Sequence, residues 1–391
     1  MKSIVIGASL ALTVVGVLWA QNITKTDKPA TQAVSIAVAI DHGAKWLASA
    51  QGADGGWGQD GGETSYVRTT ERLESTGNDV ANTAVAALAL LEAGRQYQPN
   101  VERALDFILK RIEASPSDGL AITDGQGTQI QRKLGPYIDT FLASMLLAKV
   151  DGTFSKPTLN ARVRQALEKC VAKIERNQKS DGSWNIAGGW APVLGTSMAS
   201  RSLFEAKQKG VNVSDRVMTS AENYTVNAIR VAPAATASAS PPPPAAGPGA
   251  GAGSGVVTGV AGGVLRGSVA ADSAGVPLYQ SAQALEQLSR TENDRQKNAK
   301  EIAAIKGQLA DARFVGGFGS IGGEEFFSYL NIGDSLKRGG GDEWKKWHTQ
   351  TTQKILNLQN SDGTWAGHHC ITGRVAVTSA AILNLSIDRA N

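Results

Sequence analysis

The amino-acid sequence predicts an all-α repeat protein, in which an outer set of helices encloses an inner set. Three observations indicate this: a seven-residue phrase that occurs three times, helical segments that alternate between two compositions, and the scarcity of strand patterns. The chain has 391 residues, of which 42% are hydrophobic, and this is enough for one large domain or two small ones. Because no alternating Val, Ile and Thr runs lie between turn clusters, β-structure is not expected.

The repeated phrase reads Gln-x-x-Asp-Gly-x-Trp and follows a helix-like stretch each time. We expect Gln to close the helix, Asp and Gly to form the sharp turn, and Trp to pack a large flat surface back onto the scaffold. Self-similarity of this kind is typical of repeat folds, in which one unit cannot bury its apolar face alone. The phrase residues are Gln51, Asp54 and Trp57, then Gln178, Asp181 and Trp184, and finally Gln359, Asp362 and Trp365.

The helical segments alternate between amphipathic stretches and stretches rich in small and aliphatic residues. A helix with one polar face packs on one side only, whereas a helix that is apolar nearly all round must be surrounded. The amphipathic segments are Ala33–Ala50, Val101–Ala114, Leu159–Asn177, Asp215–Arg230 and Glu343–Leu358, and the apolar ones are Asp79–Ala93, Pro136–Val150, Pro192–Lys207 and Ile371–Ile387. The sequence therefore predicts about six hairpins, arranged as an outer ring around an inner ring.

The sixth hairpin is fragmentary in the sequence. Its traces lie around Tyr279–Leu309 and Gly322–Leu330, and Gln280–Asp311 has the composition of one long polar helix on the outside. It follows a segment, residues 231–275, that consists of Ala, Pro, Gly and Ser with almost no charge. Such a segment cannot bury enough apolar surface to order itself, so we predict a disordered insert within a helical domain of residues 33–391.

The N-terminus predicts export. Met1-Lys2 precedes an uncharged, mostly apolar run, which makes residues 1–20 a signal peptide or an N-terminal membrane anchor, with membrane association through residues 3–20. Residues 21–32 form a polar leader. We therefore expect a periplasmic, secreted or membrane-anchored bacterial protein. The net charge of +4 is dispersed along the chain, and this argues against a nucleic-acid partner.

The three turns resemble the QW repeats of squalene and oxidosqualene cyclases. The alternating helices resemble the α/α toroid of those cyclases, of protein prenyltransferase β subunits and of complement-type thioester domains. The segment Gln359–Asp388, which includes Gly367–Gly373, is also similar to secreted bacterial prenyltransferase/squalene-oxidase-repeat proteins of unknown activity. The resemblance implies an (α/α)6 toroid interrupted by the insert, and a structural role for the residues of the turns.

The catalytic signatures of these families are missing from the sequence. A cyclase of this kind uses a D-x-D-D run as its proton donor and aromatic rings around the carbocation, but no such run occurs and aromatics are only 6% of the chain. A prenyltransferase holds zinc with Asp, Cys and His, but its D-x-C motif is absent. His368 and Cys370 remain weak metal candidates, the thioester C-G-E-Q run does not occur, and no cofactor is expected.

The candidate catalytic residues are Glu324, Glu325, His369 and Arg374, at the predicted starts of inner helices. Burial of one Glu would raise its pKa and create a general acid, and Arg374 could pair with it. The alternative is structural: the acids pair with the helix dipole, and a histidine caps or packs at a helix start. Asp79 and Asp139 are expected to cap their helices or to pair with the helix dipole.

Two functions therefore remain open. The first is a ligand-binding or scaffold protein whose central cavity holds an isoprenoid lipid, a glycan or a peptide. The second is an uncharacterised enzyme, either terpenoid cyclase/transferase-like or polymer-acting, that uses the Glu/His/Arg cluster. The sequence predicts that Glu324 or Glu325 shares the central funnel with His369, and it leaves open whether the protein is an enzyme.

Overall fold

The computed structural model describes residues 28–60, 77–124, 128–184, 192–231, 275–317 and 321–389. The proposed signal or anchor and nearly all of the proposed insert lie outside the described residues. Within them, fifteen α-helices and one short 3₁₀ turn make up the fold, and an isolated bridge between Trp57 and Asp79 is the one β-feature. The all-α prediction is confirmed.

Six helices form a closed inner ring. Each packs against the next in chain order, and the last returns to the first. In this order they are α2 (Val80–Ala93), α5 (Ile138–Val150), α7 (Pro192–Gln208), α9 (Gly275–Leu288), α13 (Gly323–Gly339) and α15 (Arg374–Ser386). Small side chains allow the close approach, since five alanines of α2 are fully buried.

The outer ring covers this inner ring with one principal helix per hairpin. These helices are α1 (Lys28–Ser49), α3 (Gln98–Ala114), α6 (Pro157–Arg176), α8 (Asp215–Val231), α11 (Ala299–Leu309) and α14 (Gly341–Leu356). Short connecting helices are α4 (Gln129–Leu134), α10 (Glu292–Lys297) and α12 (Ala312–Val315). Because α14 contacts α1, the outer layer also joins its last helix to its first. The described residues thus form the predicted double ring of six hairpins, with α1 starting inside the predicted polar leader.

Helix α3 shows why the outer helices are amphipathic. Val101, Leu105, Ile108 and Ile112 recur at helical spacing and are fully buried against the inner ring. The opposite face carries charges such as Lys110, which pairs with an aspartate one turn earlier. This one-sided burial is what the sequence pattern predicted.

The expectation of one long polar outer helix over Gln280–Asp311 is wrong. The first part of this segment belongs to α9, a buried inner helix, and Thr291 then starts a new helix with a capping box to Asp294. The polar residues of α9 are buried because neighbours satisfy them: Thr225 Oγ1 donates to Gln287 at 2.7 Å, and Ser197 donates to Gln283. The local composition of the segment does not show that distant helices supply hydrogen-bond partners for its polar side chains.

The Gln of each repeated turn joins its turn to the next outer helix. Gln359 Nε2 donates to Gly363 O within the turn and to Ala39 O of α1, each at 2.9 Å. This bond connects the end of the chain to its beginning, so it closes the outer ring. The equivalent bonds run from Gln51 to Gly55 and Asn100, and from Gln178 to Gly182 and Val217.

The Trp of each turn joins the outer helix before it to the inner helix after it. Trp365 is fully buried, its Nε1 donates to Ile355 O of α14 at 2.8 Å, and its backbone N–H donates to Thr378 Oγ1 of α15 at 2.9 Å. The same pair of bonds links Trp57 to Leu47 and Thr83, and Trp184 to Ile174 and Thr196. The sequence analysis did not predict the role of these three threonines, although each lies about one turn after the start of an inner helix.

Two features favour glycine in the repeated turn: a positive φ, and the close approach of the turn to a neighbouring helix. Two alanine variants can separate their contributions to stability. Gly182 has a φ of +88°, and a Cβ there would lie 2.2 Å from Ser220 O in the backbone of α8. Gly210 has a φ of +76° with nothing within 4 Å of the same position. We expect Gly210→Ala to cost about 1–2 kcal/mol from the left-handed backbone alone. Gly182→Ala should cost clearly more, because α8 must also move away.

Urea unfolding of the two variants measures this difference. Equal losses of stability would show that close packing of the turn on α8 contributes nothing beyond the backbone conformation.

Candidate functional site

Glu325 is the centre of a buried polar cluster at the start of α13. His369 Nε2 lies 3.3 Å from Glu325 Oε2, and the Tyr279 hydroxyl of α9 donates to Oε1 at 2.7 Å. The backbone N–H of Gly322 donates to Oε2 at 2.8 Å, so the side chain of Glu325 caps the start of α13. Burial alone would raise the pKa of Glu325, but the hydrogen bonds from His369 and Tyr279 outweigh it and lower the pKa. Glu325 is therefore held as a carboxylate.

The pKa of the neighbouring Glu324 is shifted in the opposite direction. Only 2% of Glu324 is exposed, its Oε2 accepts from the Ile371 N–H at 3.1 Å, and Oε1 has no hydrogen-bond partner among the described residues. Burial raises the pKa of Glu324 to about 7. Two adjacent carboxyl groups with pKa values shifted in opposite directions are a pattern found at acid–base sites, although ion-pair networks also produce it.

Three side chains of this cluster could hold a metal ion. Ligand atoms of Glu324, His369 and Cys370 all lie within 4.8 Å of one another. Cys370 is the one described non-glycine residue with a positive φ, +54°. With Nε2 of His369 facing Glu325, Nδ1 is the nitrogen that would coordinate, as in carboxylate–histidine–metal arrangements. A mixed O, N and S donor set of this kind suits Zn²⁺.

Arg374, the fourth catalytic candidate, points to a different part of the molecule. Its guanidinium stacks over Trp46 at 5.1 Å, and its Nη1 is 3.3 Å from Asp362. Its Nε also approaches Asp60 at 3.5 Å. These contacts replace the expected pairing with one of the two glutamates, and they join α15 to the last repeated turn.

The backbone of His368 supports the cluster, although its side chain is exposed. The His368 N–H donates to Ile321 O at 2.7 Å, and this bond holds the loop of residues 368–370 against the start of α13. The side chain of His368 is not among the ligand atoms that come together. The structure thus brings together Glu324, Glu325, His369 and Cys370, and it places Arg374 and the His368 side chain outside the cluster.

A central cavity of about 610 Å³ lies among the C-terminal halves of the inner helices. Its walls are mainly apolar, and the apolar lining residues are Val85, Leu88, Leu142, Met145, Ala148, Met198, Phe327, Leu330, Leu383 and Ile387. The described lining does not include Glu324, Glu325 or His369. Glu324, Glu325 and His369 therefore lie apart from this cavity, although the sequence predicted that they share a central funnel. Glu324 and Glu325 lie in the first turn of α13, whereas the cavity starts at Phe327 in the same helix.

Charged side chains surround the cavity and form a network that the sequence analysis missed. Arg201 of α7 pairs with Glu205 at 2.8 Å and with Asp334 of α13 at 2.9 Å. Glu286 of α9 is 2% exposed and makes a two-pronged ion pair with Arg290, at 3.0 and 2.7 Å. Burial opposes the charge on Glu286, but the arginines around it lower its pKa to about 2. The spacing of four residues between opposite charges, in Arg201 and Glu205 and in Glu286 and Arg290, was the signal available in the sequence.

A second acidic pair is buried at the starts of α2 and α5. Asp79 caps α2 by accepting from Asn82 N at 2.8 Å, as expected from the sequence. Asp139 lies in the first turn of α5 and accepts from Thr123 at 2.6 Å and from Gln131 at 2.8 Å. Burial raises the pKa of both carboxyl groups, and the charge of Asp139 raises that of Asp79 further.

The raised pKa of Asp79 predicts a dependence of stability on pH. Because the folded pKa is above the unfolded value of about 4, the contribution of this carboxyl group to stability is fully present below that value and is lost as the pH rises through the folded pKa. Asp79→Asn keeps a good N-cap but carries no charge, so its stability should fall less. Urea unfolding at about pH 4 and about pH 8 measures both proteins. An equal fall in wild type and variant would contradict the assignment.

Sequence comparisons relate part of this chain to a known family. Residues 20–124 match the family model of the squalene-hopene cyclase C-terminal domain. A squalene–hopene cyclase from Bradyrhizobium diazoefficiens is 39% identical over 70 residues, which are 18% of this chain and 10% of that enzyme. The aligned part thus spans about a tenth of that relative. Together with the closed double ring of helices, these matches support the terpene cyclase and prenyltransferase toroid superfamily.

Proposed function

We propose that this chain, whose fold is that of the terpene cyclase and prenyltransferase toroids, is a ligand-binding protein that holds the apolar chain of an isoprenoid-like lipid in its central cavity. The observation that carries the proposal is the cavity itself. Its volume of about 610 Å³ is in the range of small-molecule sites, and aliphatic side chains of several inner helices form its walls. Burying an apolar chain there would stabilise the complex through the hydrophobic effect.

The composition of the lining argues against cyclisation in this cavity. A carbocation needs aromatic faces around it, and Phe327 is the one aromatic residue in the described lining. A strong proton donor is also needed, but the carboxyl groups of the lining belong to Glu92, Glu205 and Asp334, which are in ion pairs with lysine and arginine side chains. Similarity to a cyclase over a tenth of its length therefore does not lead us to propose cyclase activity.

The same lining favours a lipid over a glycan or a peptide. A glycan presents hydroxyl groups all round, and the apolar side chains of the cavity walls offer them no hydrogen-bond partners. A peptide would need partners for its backbone N–H and C=O groups as well. An apolar lipid chain has no polar groups that need hydrogen-bond partners in the cavity.

A cavity-filling variant tests the proposal. Met145→Trp enlarges a lining side chain, so we expect it to weaken binding of farnesol at least about tenfold, measured by native mass spectrometry. The matched control is Val38→Trp, which adds the same ring at an exposed position of α1 and should leave binding unchanged. Failure of the wild-type protein to bind farnesol or a longer isoprenoid alcohol would contradict the proposal.

A second candidate function rests on the cluster of Glu324, His369 and Cys370. Its ligand atoms lie close enough together to suggest a metal site, and bound zinc would lower the pKa of a coordinated water. Glu325 would orient His369. In this alternative the protein is a metal-dependent enzyme whose substrate approaches the starts of the inner helices, and the central cavity has a separate role.

Zinc titration distinguishes this alternative from a purely structural cluster. We expect isothermal titration calorimetry to show one site in the wild type and a loss of affinity of about 10- to 100-fold in Glu324→Gln. Glu343→Gln removes an exposed carboxylate on α14 and serves as the control. Equal zinc affinity in all three proteins would place any bound ion elsewhere.

Export is also part of the proposal. It is supported by the apolar run at residues 3–20 after Met1-Lys2. Among the described residues, none of the helices has the length and apolarity that crossing a bilayer requires. Mass spectrometry of the native protein after cell fractionation tests export, since it identifies both the compartment and the mature N-terminus. Recovery of the full-length protein from the cytosol would contradict export.

A further inference from the structure

A second cavity lies in the outer layer of the ring, between α11, α12 and α14. The outer helix α11 has 11 residues, whereas the other five principal outer helices have 16 to 22. Helix α12 adds only 4 residues after it. The short α11 and α12 leave a groove of about 630 Å³ beside α14, with α13 at its floor, and we call it the outer groove. This volume is in the range of small-molecule sites.

The floor and walls of the outer groove include two aromatic rings and several aliphatic side chains. Tyr329 and Leu336 come from α13, Leu309 from the end of α11, Val315 from α12 and Trp347 from α14. The rings of Tyr329 and Trp347 meet edge to face, with their centroids 5.8 Å apart. A surface of this kind suits the flat apolar body of a ligand.

The charges of the outer groove do not balance. Lys306, Lys346 and Lys354 line it, and Glu343 is the one carboxylate in its described lining. Glu343 pairs with Lys306, which joins α14 to α11. This pairing leaves Lys346 and Lys354 without a carboxylate in the groove, so the groove carries a net positive charge.

Lys354 lies where the charge and the apolar surface of the outer groove meet. Its Nζ donates to the Tyr329 hydroxyl at 2.6 Å and lies 4.9 Å from the centroid of the same ring. That hydroxyl in turn donates to Val315 O at 2.9 Å. Because an ammonium group has three donors, Lys354 can still donate to a further acceptor.

The environment of Lys354 favours an arriving anion. Burial of its ammonium group lowers the pKa of Lys354, and the charge of Glu325 opposes this shift. However, the oxygens of Glu325 already accept from the polar cluster at the start of α13. A ligand carboxylate in the groove would therefore supply the counter-charge that the ammonium group lacks.

From this cavity and these contacts we propose that the outer groove is a second ligand site, which binds a small carboxylate with a flat apolar body. The carboxylate contacts Lys354, and the body lies against Trp347 and the aliphatic walls. Lys346, about two turns earlier on the same face of α14, adds positive charge. The described linings of the outer groove and the central cavity share no residue, so the two sites are separate.

The position of Lys354 also has a simpler explanation, and the test must separate the two. A cation in the last turn of α14 interacts favourably with the helix dipole whether or not a ligand binds. That effect would appear in the stability of the free protein. A role in ligand binding would appear in the difference between two ligands of one shape, of which only one is charged.

The experiment compares 2-naphthoate with its neutral amide, 2-naphthamide, by isothermal titration calorimetry of the full chain. We expect the wild type to bind the carboxylate at least about tenfold more tightly than the amide. Lys354→Met should lose most of this preference and keep its affinity for the amide, which also shows that the groove is folded. Lys354→Arg should keep part of the preference, because the charge remains.

Matched controls place the charge effect at Lys354. Lys345→Met makes the same change at an exposed lysine of α14 that pairs with Asp342, and it should leave the preference intact. Lys346→Gln removes the second positive charge of the groove and should reduce the preference by a smaller factor.

Two tryptophan variants test whether the ligand lies in the outer groove. Ala312→Trp fills the groove from α12 and should weaken binding of both compounds at least about tenfold. Ala304→Trp adds the same ring at an exposed position of α11 outside the described lining, and it should leave binding unchanged. Met145→Trp, in the central cavity, should also leave naphthoate binding unchanged.

Several outcomes would overturn the proposal. Equal affinity of the wild type for the two compounds, or binding of neither, would do so. A full preference for the carboxylate in Lys354→Met would show that another group binds the anion. Loss of naphthoate binding in Met145→Trp but not in Ala312→Trp would place the ligand in the central cavity. Dimerisation that Ala312→Trp abolishes, without naphthoate binding, would make the groove an interface between two copies of the chain.

Discussion

Trp365→Ala is expected to destabilise the protein by about 3–5 kcal/mol, the range for removing a fully buried large aromatic side chain. The ring of Trp365 fills the space between the first, last and next-to-last helices. A Cβ built on Gly43 of α1 would lie only 2.9 Å from it. Its loss would leave a cavity at the point where the toroid closes, and Ile355 O would lose its hydrogen bond to Nε1.

Chemical unfolding measures this loss, with Trp344→Ala as the control. Trp344 lies on the same part of the chain, on α14, but it is only half-buried and stacks on His348 at 4.8 Å. Its removal should cost distinctly less. If both variants lost the same stability, Trp365 would contribute no more than a half-buried tryptophan. The proposed role of the repeated turns in joining the helices where the ring closes would then be wrong.

The repeated turns explain why the fold could be predicted from the sequence. The side-chain bonds of Gln359, Asp362 and Trp365 mostly stay within the turn or go to the backbone of a neighbouring helix. Such contacts need no particular side chain on the partner, so the turn phrase alone predicts them. Two contacts do depend on a partner side chain and were missed: Thr378 accepts from the Trp365 N–H, and Arg374 pairs with Asp362.

The site residues were harder to predict because their partners come from distant positions. Glu325 and His369 were expected to lie together, and they do, since both lie near the starts of neighbouring inner helices. Arg374 was assigned to the same cluster from its spacing. However, Asp60 and Trp46, which it contacts, come from the other end of the chain. Sequence distance gives no indication of such pairs.

The charged residues around the cavity were also hard to predict, because their burial depends on residues that are distant in the sequence. Glu286 and Arg290 are four residues apart and could have been paired from the sequence, but their burial depends on Ser200 and Phe204 of α7. The polar composition of this segment instead suggested an outer helix. A charged pair inside a closed ring becomes visible only when the neighbouring helices are known.

Glu286→Ala is expected to cost about 3–5 kcal/mol, because it leaves a buried guanidinium without its counter-charge. Arg290 is 3% exposed, and its remaining contacts are to Ser200, at 3.3 Å and 3.0 Å, and to the face of Phe204. The control is Glu292→Ala, which breaks the solvent-exposed pair with Arg295 and should cost far less. Urea unfolding at about pH 7 measures both. Equal losses would mean that Arg290 finds water or another partner in the variant.

The pH dependence gives this prediction a second, independent test. The folded pKa of Glu286, about 2, is below the unfolded value of about 4, so its contribution is fully present above about pH 4 and is lost as the pH falls towards 2. The difference in stability between wild type and Glu286→Ala should therefore shrink between about pH 5 and about pH 2.5. A packing defect caused by the smaller side chain would not depend on pH in this way. A constant difference over this range would assign the loss to packing, and the ion pair would then contribute little to holding α7, α9 and α13 together.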